Sequence, residues 1–469
     1  MSGVSPPNHE DDGHYEEPST PPPISCLPSE LLTRILFTLQ SLHELEHYYR
    51  WTSVSQVSQS WRQLVLETTS LWGGIIHVYS ERPVQWAIVS LERSGSATLD
   101  ITIYTQNPKE SISDFVLEVL SQMHRIRSLK LTITWFDSFD ASKQLRLLHL
   151  LESPAPCLEE VALNGGRSAM YWAQETHERP LTPILSGIAP RLRVMRLFSL
   201  PLSLKGFSCT TIVHLVLGHI EPPAYFHLDE VLSILRTSPK IESLHLNDCA
   251  FSMSPSVPIT PITLPRLRKL ELPLRAEASA ALLSHLSLPS TAHVSLHREL
   301  REFRAVEIQS ILPEILHSFG RELPPIGRLS MILKGHKTFV FHFWELDSTC
   351  QEPRISLNLF CVQEFRWLLP CSPSFLSHLR SLYISAPYHG IVIEGQPMSH
   401  FSSFATLSEI QIGWGFVPEF VEYFKQEPNS FPALKSLSLH LPYAENEVPH
   451  EVFNSLSWAL ELRMQGPHG

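Results

Sequence analysis

The chain has 469 residues, of which 43% are apolar, and a formal net charge of −11. That is enough apolar material for a large core and for two or three structural units. The acidic balance argues against a nucleic-acid binder working through a broad basic face, and no apolar run is long enough to predict a membrane span.

Residues 1–24 read as an acidic, proline-rich tail. They hold Glu10, Asp11, Asp12, Glu16 and Glu17, no Lys or Arg, and end in Pro21-Pro22-Pro23. Such a composition cannot bury enough surface to offset its ordering entropy, so disorder is expected. No basic-then-apolar leader opens the chain. The 7 cysteines (Cys26, Cys157, Cys209, Cys249, Cys350, Cys361 and Cys371) are scattered, with no Cys-x-x-Cys among them. This predicts a reduced protein of the cytoplasm or nucleus with buried thiols, not a disulfide framework or a zinc site.

Residues 25–76 are expected to form a small helical unit. Leu27-Pro28-Ser29-Glu30 reads as a helix start, with proline where no backbone donor is needed and an acid in the first turn. Leu31, Leu32, Ile35 and Leu36 then recur at helical spacing and predict one apolar face. A second set, Val54, Val57, Trp61, Leu64 and Val65, follows at spacings of three and four, and Leu71-Trp72-Gly73-Gly74-Ile75 closes the stretch. Helices this short cannot bury that surface alone and need a partner, within the chain or outside it. The ordered set Leu27-Pro28, Glu30-Leu31-Leu32, Ile35-Leu36, Val57-x-x-x-Trp61-Arg62 and Trp72 resembles the F-box.

Residues 77–110 read as a linker: a helix over Val84 to Leu91, the turn Leu91-Glu92-Arg93-Ser94-Gly95, and a strictly alternating strand at Leu99 to Ile103. This order resembles the linker of fungal F-box-like proteins.

From residue 111 to 469 the pattern L-x-x-L-x-L recurs, with Ile, Val or Met standing in for some leucines. It is found at Ile126-Leu129-Leu131, Leu158-Val161-Leu163, Leu192-Met195-Leu197, Ile212-Leu215-Leu217, Ile241-Leu244-Leu246 and Leu267-Leu270-Leu272. It returns at Leu379-Leu382-Ile384, Leu407-Ile410-Ile412 and Leu434-Leu437-Leu439, with weaker strands at Val294-Leu296, Leu329-Met331 and Leu357-Leu359. The central positions lie roughly 20–35 residues apart, near the leucine-rich-repeat period. Helical patterns occupy the intervals: Phe115 to Met123, Leu145 to Leu151, Leu228 to Leu235, Ala278 to Leu286, Ile308 to Phe319 and Val417 to Phe424. The expected class is therefore α/β, a helical motif followed by a solenoid, or horseshoe, of irregular leucine-rich repeats. A non-repeating α/β domain with many short strands is the alternative. Asn164 to Pro190, Ser252 to Pro265 and Pro387 to Phe404 read as surface loops.

No phosphate-binding loop, GxGxxG, HExxH or Gly-x-Ser-x-Gly elbow occurs, so neither catalysis nor a cofactor is expected. The F-box resemblance implies docking of a Skp-type adaptor through Leu27, Pro28, Glu30, Leu31, Leu32, Ile35, Leu36, Val57, Trp61 and Trp72. Through that adaptor it implies membership of a cullin–RING ubiquitin ligase, with an unknown protein substrate held by the repeats. Side chains alternate on a strand, so the residue between the last two leucines of each repeat points away from the core. Lys130, Arg196, His245, Glu271, Tyr383 and Gln411 are the candidate substrate contacts on that face, with Arg196, His245 and Tyr383 as anchors. Two other readings stay open: an F-box protein acting with the adaptor outside a ligase, and a repeat scaffold whose N-terminal helices merely cap it.

Overall fold

The computed structural model describes residues 27–464 apart from internal stretches, the longest being 167–181, 253–259, 297–310, 361–375, 386–396 and 441–449. The acidic tail, Cys26, Cys350, Cys361 and Cys371, and most of the Pro387 to Phe404 segment lie outside the described residues.

The chain begins with four helical pieces: α1 (Ser29–Leu42), a 3-10 run over Leu45–Gln56, α2 (Gln59–Glu67) and α3 (Thr69–Gly73). Pro28 lends its carbonyl to Leu31 N and Leu32 N, each at 3.1 Å, so α1 starts one residue past the proline. Ser58 caps α2 by accepting from Trp61 N at 3.3 Å, satisfying a donor that the first turn cannot pair internally. These pieces enclose a small core of Leu36, Trp51, Trp61, Val65, Leu71 and Trp72. Trp51 meets Trp72 edge-on with ring centroids 5.4 Å apart, and the Trp72 indole donates to Val65 O at 2.8 Å. The expected single apolar face of α1 is in fact two. Leu32 and Leu36 turn into this core, while Leu31 and Ile35 face out. Residues 31 and 32 differ by about 100° around the axis, so a four-residue apolar set spans more than one contact.

One large sheet follows. Its first nine strands are β1 (Ile76–Val78), β2 (Leu99–Thr105), β3 (Ile126–Ile133), β4 (Glu160–Asn164), β5 (Val194–Phe198), β6 (His214–Ile220), β7 (Ser243–Cys249), β8 (Lys269–Glu271) and β9 (His293–Leu296). They lie side by side in chain order, all parallel. Three more, β10 (Ile326–Lys334), β11 (Thr338–Glu345) and β12 (Ile355–Phe360), form an antiparallel meander that enters in reverse, β12 beside β9. The parallel order resumes from β10 to β13 (Ser381–Ser385), β14 (Glu409–Gly413) and β15 (Ser436–His440). β1 already belongs to this sheet, so the sheet starts at the end of the stretch read as the helical unit. Gly73 sits at this seam. A Cβ there would come within 2.4 Å of Thr98 O, so only glycine lets α3 approach the start of β2.

Helices return the chain between parallel strands: α4 (Glu81–Arg93), α5 (Glu110–Leu120), α6 (Ala141–Glu152), α7 (Leu228–Thr237), α8 (Ala276–Leu283) and α9 (Val417–Gln426), with α10 (His450–Met464) beside α9. Their apolar stripes meet the inward residues of the strands in one continuous core. Leu129, Leu131, Val161, Leu163, Leu244, Leu246, Leu270 and Ile410 join Phe115, Leu147, Val231 and Phe420 there. Hydroxyls just ahead of the strands tie one unit to the last. Thr211 Oγ1 donates to Leu192 O and Thr406 Oγ1 to Leu379 O, both at 2.8 Å. Cys249, buried, points its thiol at Leu217 O, 3.4 Å away on the neighbouring strand. Two segments read as loops carry short strands instead, Thr182–Pro183 paired with Leu202–Ser203 and Ile262–Thr263 paired with Leu286–Ser287. In the second pairing Ile262 N and Leu264 N donate to His285 O and Ser287 O, so the prolines of that segment leave its donors in place.

Candidate functional site

The residues singled out from the sequence fall on two surfaces. The first is the outer side of α1. Leu31 is 48% exposed and Ile35 44%, and with Leu27, Arg34, Thr38 and Leu39 they line a shallow groove of about 470 Å³. Val57, in the turn ahead of α2, is also exposed, as are Pro28 and Glu30. Leu36, Trp61 and Trp72 are buried, and Leu32 packs against them. The ten residues read as one contact set thus divide. Leu27, Pro28, Glu30, Leu31, Ile35 and Val57 present a surface, and Leu32, Leu36, Trp61 and Trp72 hold it in place.

The second surface is the face of the sheet opposite the helices. Along β4 and β5 burial alternates residue by residue, so the outward rows are half-exposed and mix charged and polar side chains with apolar ones. Lys130, Arg196, His245, Glu271, Tyr383 and Gln411 all stand in this face, but they do not form one site. In the N-terminal half the charges neutralise one another. Glu160 takes Lys130 Nζ at 3.0 Å and Arg196 Nη1 at 2.6 Å, from the strands on either side. Burial pushes the Glu160 carboxyl up, but the hydrogen bonds and charges of Lys130 and Arg196 outweigh it and leave the carboxyl below its ordinary value. Glu271 is held between His245 Nδ1 at 2.6 Å and Lys269 Nζ at 2.8 Å. Arg127 grips Asp100 with two nitrogens, and this pairing raises its own pKa. Further along the same face Phe198 lies across Gly218, where a Cβ would meet its ring at 2.5 Å.

The C-terminal half is different. A cleft of about 760 Å³ opens where the meander meets β13 to β15. Its lining includes Gly327, Ser330 and Ser381, which leave space, and Arg328, Trp344 and Tyr383, which rise around it. The register explains this: Trp344 on β11 lies opposite Arg328 on β10, which lies beside Ser381 on β13. The Arg328 guanidinium rests 5.1 Å from the Trp344 ring centroid, and Tyr383 meets His440 edge-on at 5.8 Å. Gln411 Nε2 donates to Glu409 Oε1 at 3.1 Å on the far side. Of the residues singled out from sequence, the cleft gathers Tyr383 and Gln411. Trp344 was missed because β11 was not recognised as a strand, and Arg328 and Arg380 because only the residue between the last two apolar positions of a strand was taken as a candidate.

No family model matches the chain, and no curated protein matches it significantly. Among the described residues no helix is long and apolar enough to cross a membrane, and no group of three or more His, Cys, Asp or Glu is placed to hold a metal ion.

Proposed function

We propose that this chain is the substrate-recognition subunit of a cullin–RING ubiquitin ligase. The α1 groove docks a Skp-type adaptor, and the open face of the sheet, read as a degenerate leucine-rich-repeat solenoid, holds a target protein. The observation that carries this reading is the division of labour on α1. A helix of the F-box-like stretch keeps Leu31 and Ile35 in solvent while the tryptophans behind them form a closed core. Apolar side chains held out by a rigid support are what a protein interface needs at its centre. The chain order of the strands, the hydroxyl ties between units and the helices on one face support the repeat reading. In this role the chain performs no chemistry. It raises the local concentration of target lysines near the charged conjugating enzyme.

The test is capture of a purified Skp-type adaptor by the full chain and by Leu31→Asp. The variant places a charge in a desolvated interface, and an uncompensated buried charge costs roughly 3–5 kcal/mol. Its folding should be untouched, because Leu31 is exposed in the free chain. Loss of adaptor capture with an unchanged melting curve is the expected result, and undiminished capture by Leu31→Asp overturns the assignment. Recovery of cullin with the adaptor separates a ligase subunit from an adaptor-only complex.

A further inference from the structure

We propose that the cleft between Trp344 and Tyr383 is the specificity pocket of the open face, taking an aromatic side chain of an extended peptide with a carboxylate beside it. This rests on the reading that the open face binds a protein substrate, and it names the segment that would be recognised. Three observations lead to it.

The first is shape. Trp344 and Tyr383 stand on strands two places apart, β11 and β13, with β10 between them. Trp344 aligns through Arg328 with Ser381, and Tyr383 lies one row further along, beside Ser330. Strand spacing and this two-residue offset put their backbones roughly 12 Å apart. Ser330 on β10 and Ser381 beside Tyr383 leave space there, and Arg328 borders it. A third ring entering there would sit about 6 Å from each aromatic, within the range of favourable ring pairing. The cleft volume of about 760 Å³ holds several peptide side chains, not one small ion.

The second is charge. Lys130, Arg196, Arg127 and Lys269 on the open face each have a carboxylate partner. Arg328 has an aromatic ring and no ion pair among the described residues. Nearby Glu345 is taken by Arg354. Arg328 is exposed, and a guanidinium already oriented by a ring and open to an incoming ligand favours a planar carboxylate.

The third is topology. The cleft forms where the run of parallel strands is interrupted by the meander and resumes. The meander brings Trp344 next to Arg328 in a row that the flanking parallel strands alone would not supply.

The experiment pans a phage library of random ten-residue peptides against the full chain. Enriched sequences are then synthesised with a fluorescent label and titrated. The expected motif is Phe, Tyr or Trp within two residues of Asp or Glu. Trp344→Ala should weaken these peptides about tenfold. Arg328→Glu should weaken them at least tenfold and restore binding when the peptide's acid is changed to Lys, a swap that no loss of folding imitates. Each variant is checked for an unchanged melting curve and for adaptor capture, since the α1 groove lies at the other end of the sheet order. No enrichment, enrichment of basic or purely aliphatic sequences, or binding indifferent to both substitutions overturns the pocket. Adaptor capture failing while the peptides still bind overturns the ligase assignment and leaves the pocket standing.

Discussion

Leu31 and Leu36 are five positions apart on α1, and the physical consequences of changing them diverge. Leu36 is 1% exposed among three tryptophans, so Leu36→Ala should cost about 2–5 kcal/mol through lost contacts and the cavity left behind. Leu31→Ala removes a side chain from solvent and should change stability by no more than about 0.5 kcal/mol. Urea titration of both variants checks the contrast, and equal losses would mean that the α1 groove is packed in the free chain. Glu419 poses a second single-residue question. It lies in the first turn of α9, half-buried, and desolvation pushes its carboxyl up from 4.5 to about 7. The folded chain therefore holds this proton more tightly than the unfolded chain between about pH 4.5 and 7. Stability linked to Glu419 is present below that window and is lost as pH rises through it. The helix N-terminus favours the ionised form and works the other way, so the gain from removing the charge is modest. Glu419→Gln should be more stable than the parent at pH 8 by on the order of 1 kcal/mol after solvent screening. It should match the parent near pH 4.5, as urea midpoints at the two pH values would show.

At the scale of elements, most strands and helices were legible because each carries a single dominant period. Leu99 to Ile103, Leu244 to Leu246 and Leu228 to Leu235 are strand, strand and helix as their patterns require. The meander was only partly legible. Leu329-Met331 and Leu357-Leu359 were recognised, but Thr338–Glu345 between them has Phe and Val where the repeat has Leu, and a search keyed to leucine spacing passes over it. The signal was present in another form: two apolar runs separated by Gly335-His336-Lys337, a spacing that favours a hairpin. Phe341 and Phe343 on this strand are fully buried, between neighbours that pair with it on both sides. Phe341→Ala should therefore cost about 3–5 kcal/mol. Were the meander a loosely attached insertion, a calorimetric scan of that variant would show the main transition unmoved. A downward shift of the main transition is the expected result, because β12 and β10 join β9 to β13.

At the scale of the molecule, the outward rows of the sheet follow from alternation alone, and Lys130, Arg196, His245, Glu271, Tyr383 and Gln411 do lie in them. Which of them meet is decided by register between strands distant in sequence. Glu160 pairs with Lys130 and Arg196 because β3, β4 and β5 align 128 with 160 and 160 with 194, and no local pattern encodes that alignment. The same geometry governs how the chain should come apart. Its core is one continuous layer, but each strand is bonded only to the strands beside it, so the cooperativity is passed along neighbours. Leu270 on β8 is fully buried in the middle of the parallel run. Leu270→Ala should lower global stability by about 2–5 kcal/mol. Amide protection should fall most in β7, β8 and β9, less in β3 and β4, and least in α1 and α2, which have a separate core. Hydrogen exchange with peptide-level readout measures this gradient. Equal loss of protection from α1 through β15 would mean that the helical unit and the sheet unfold as a single body, and the nearest-neighbour description of the chain would fail.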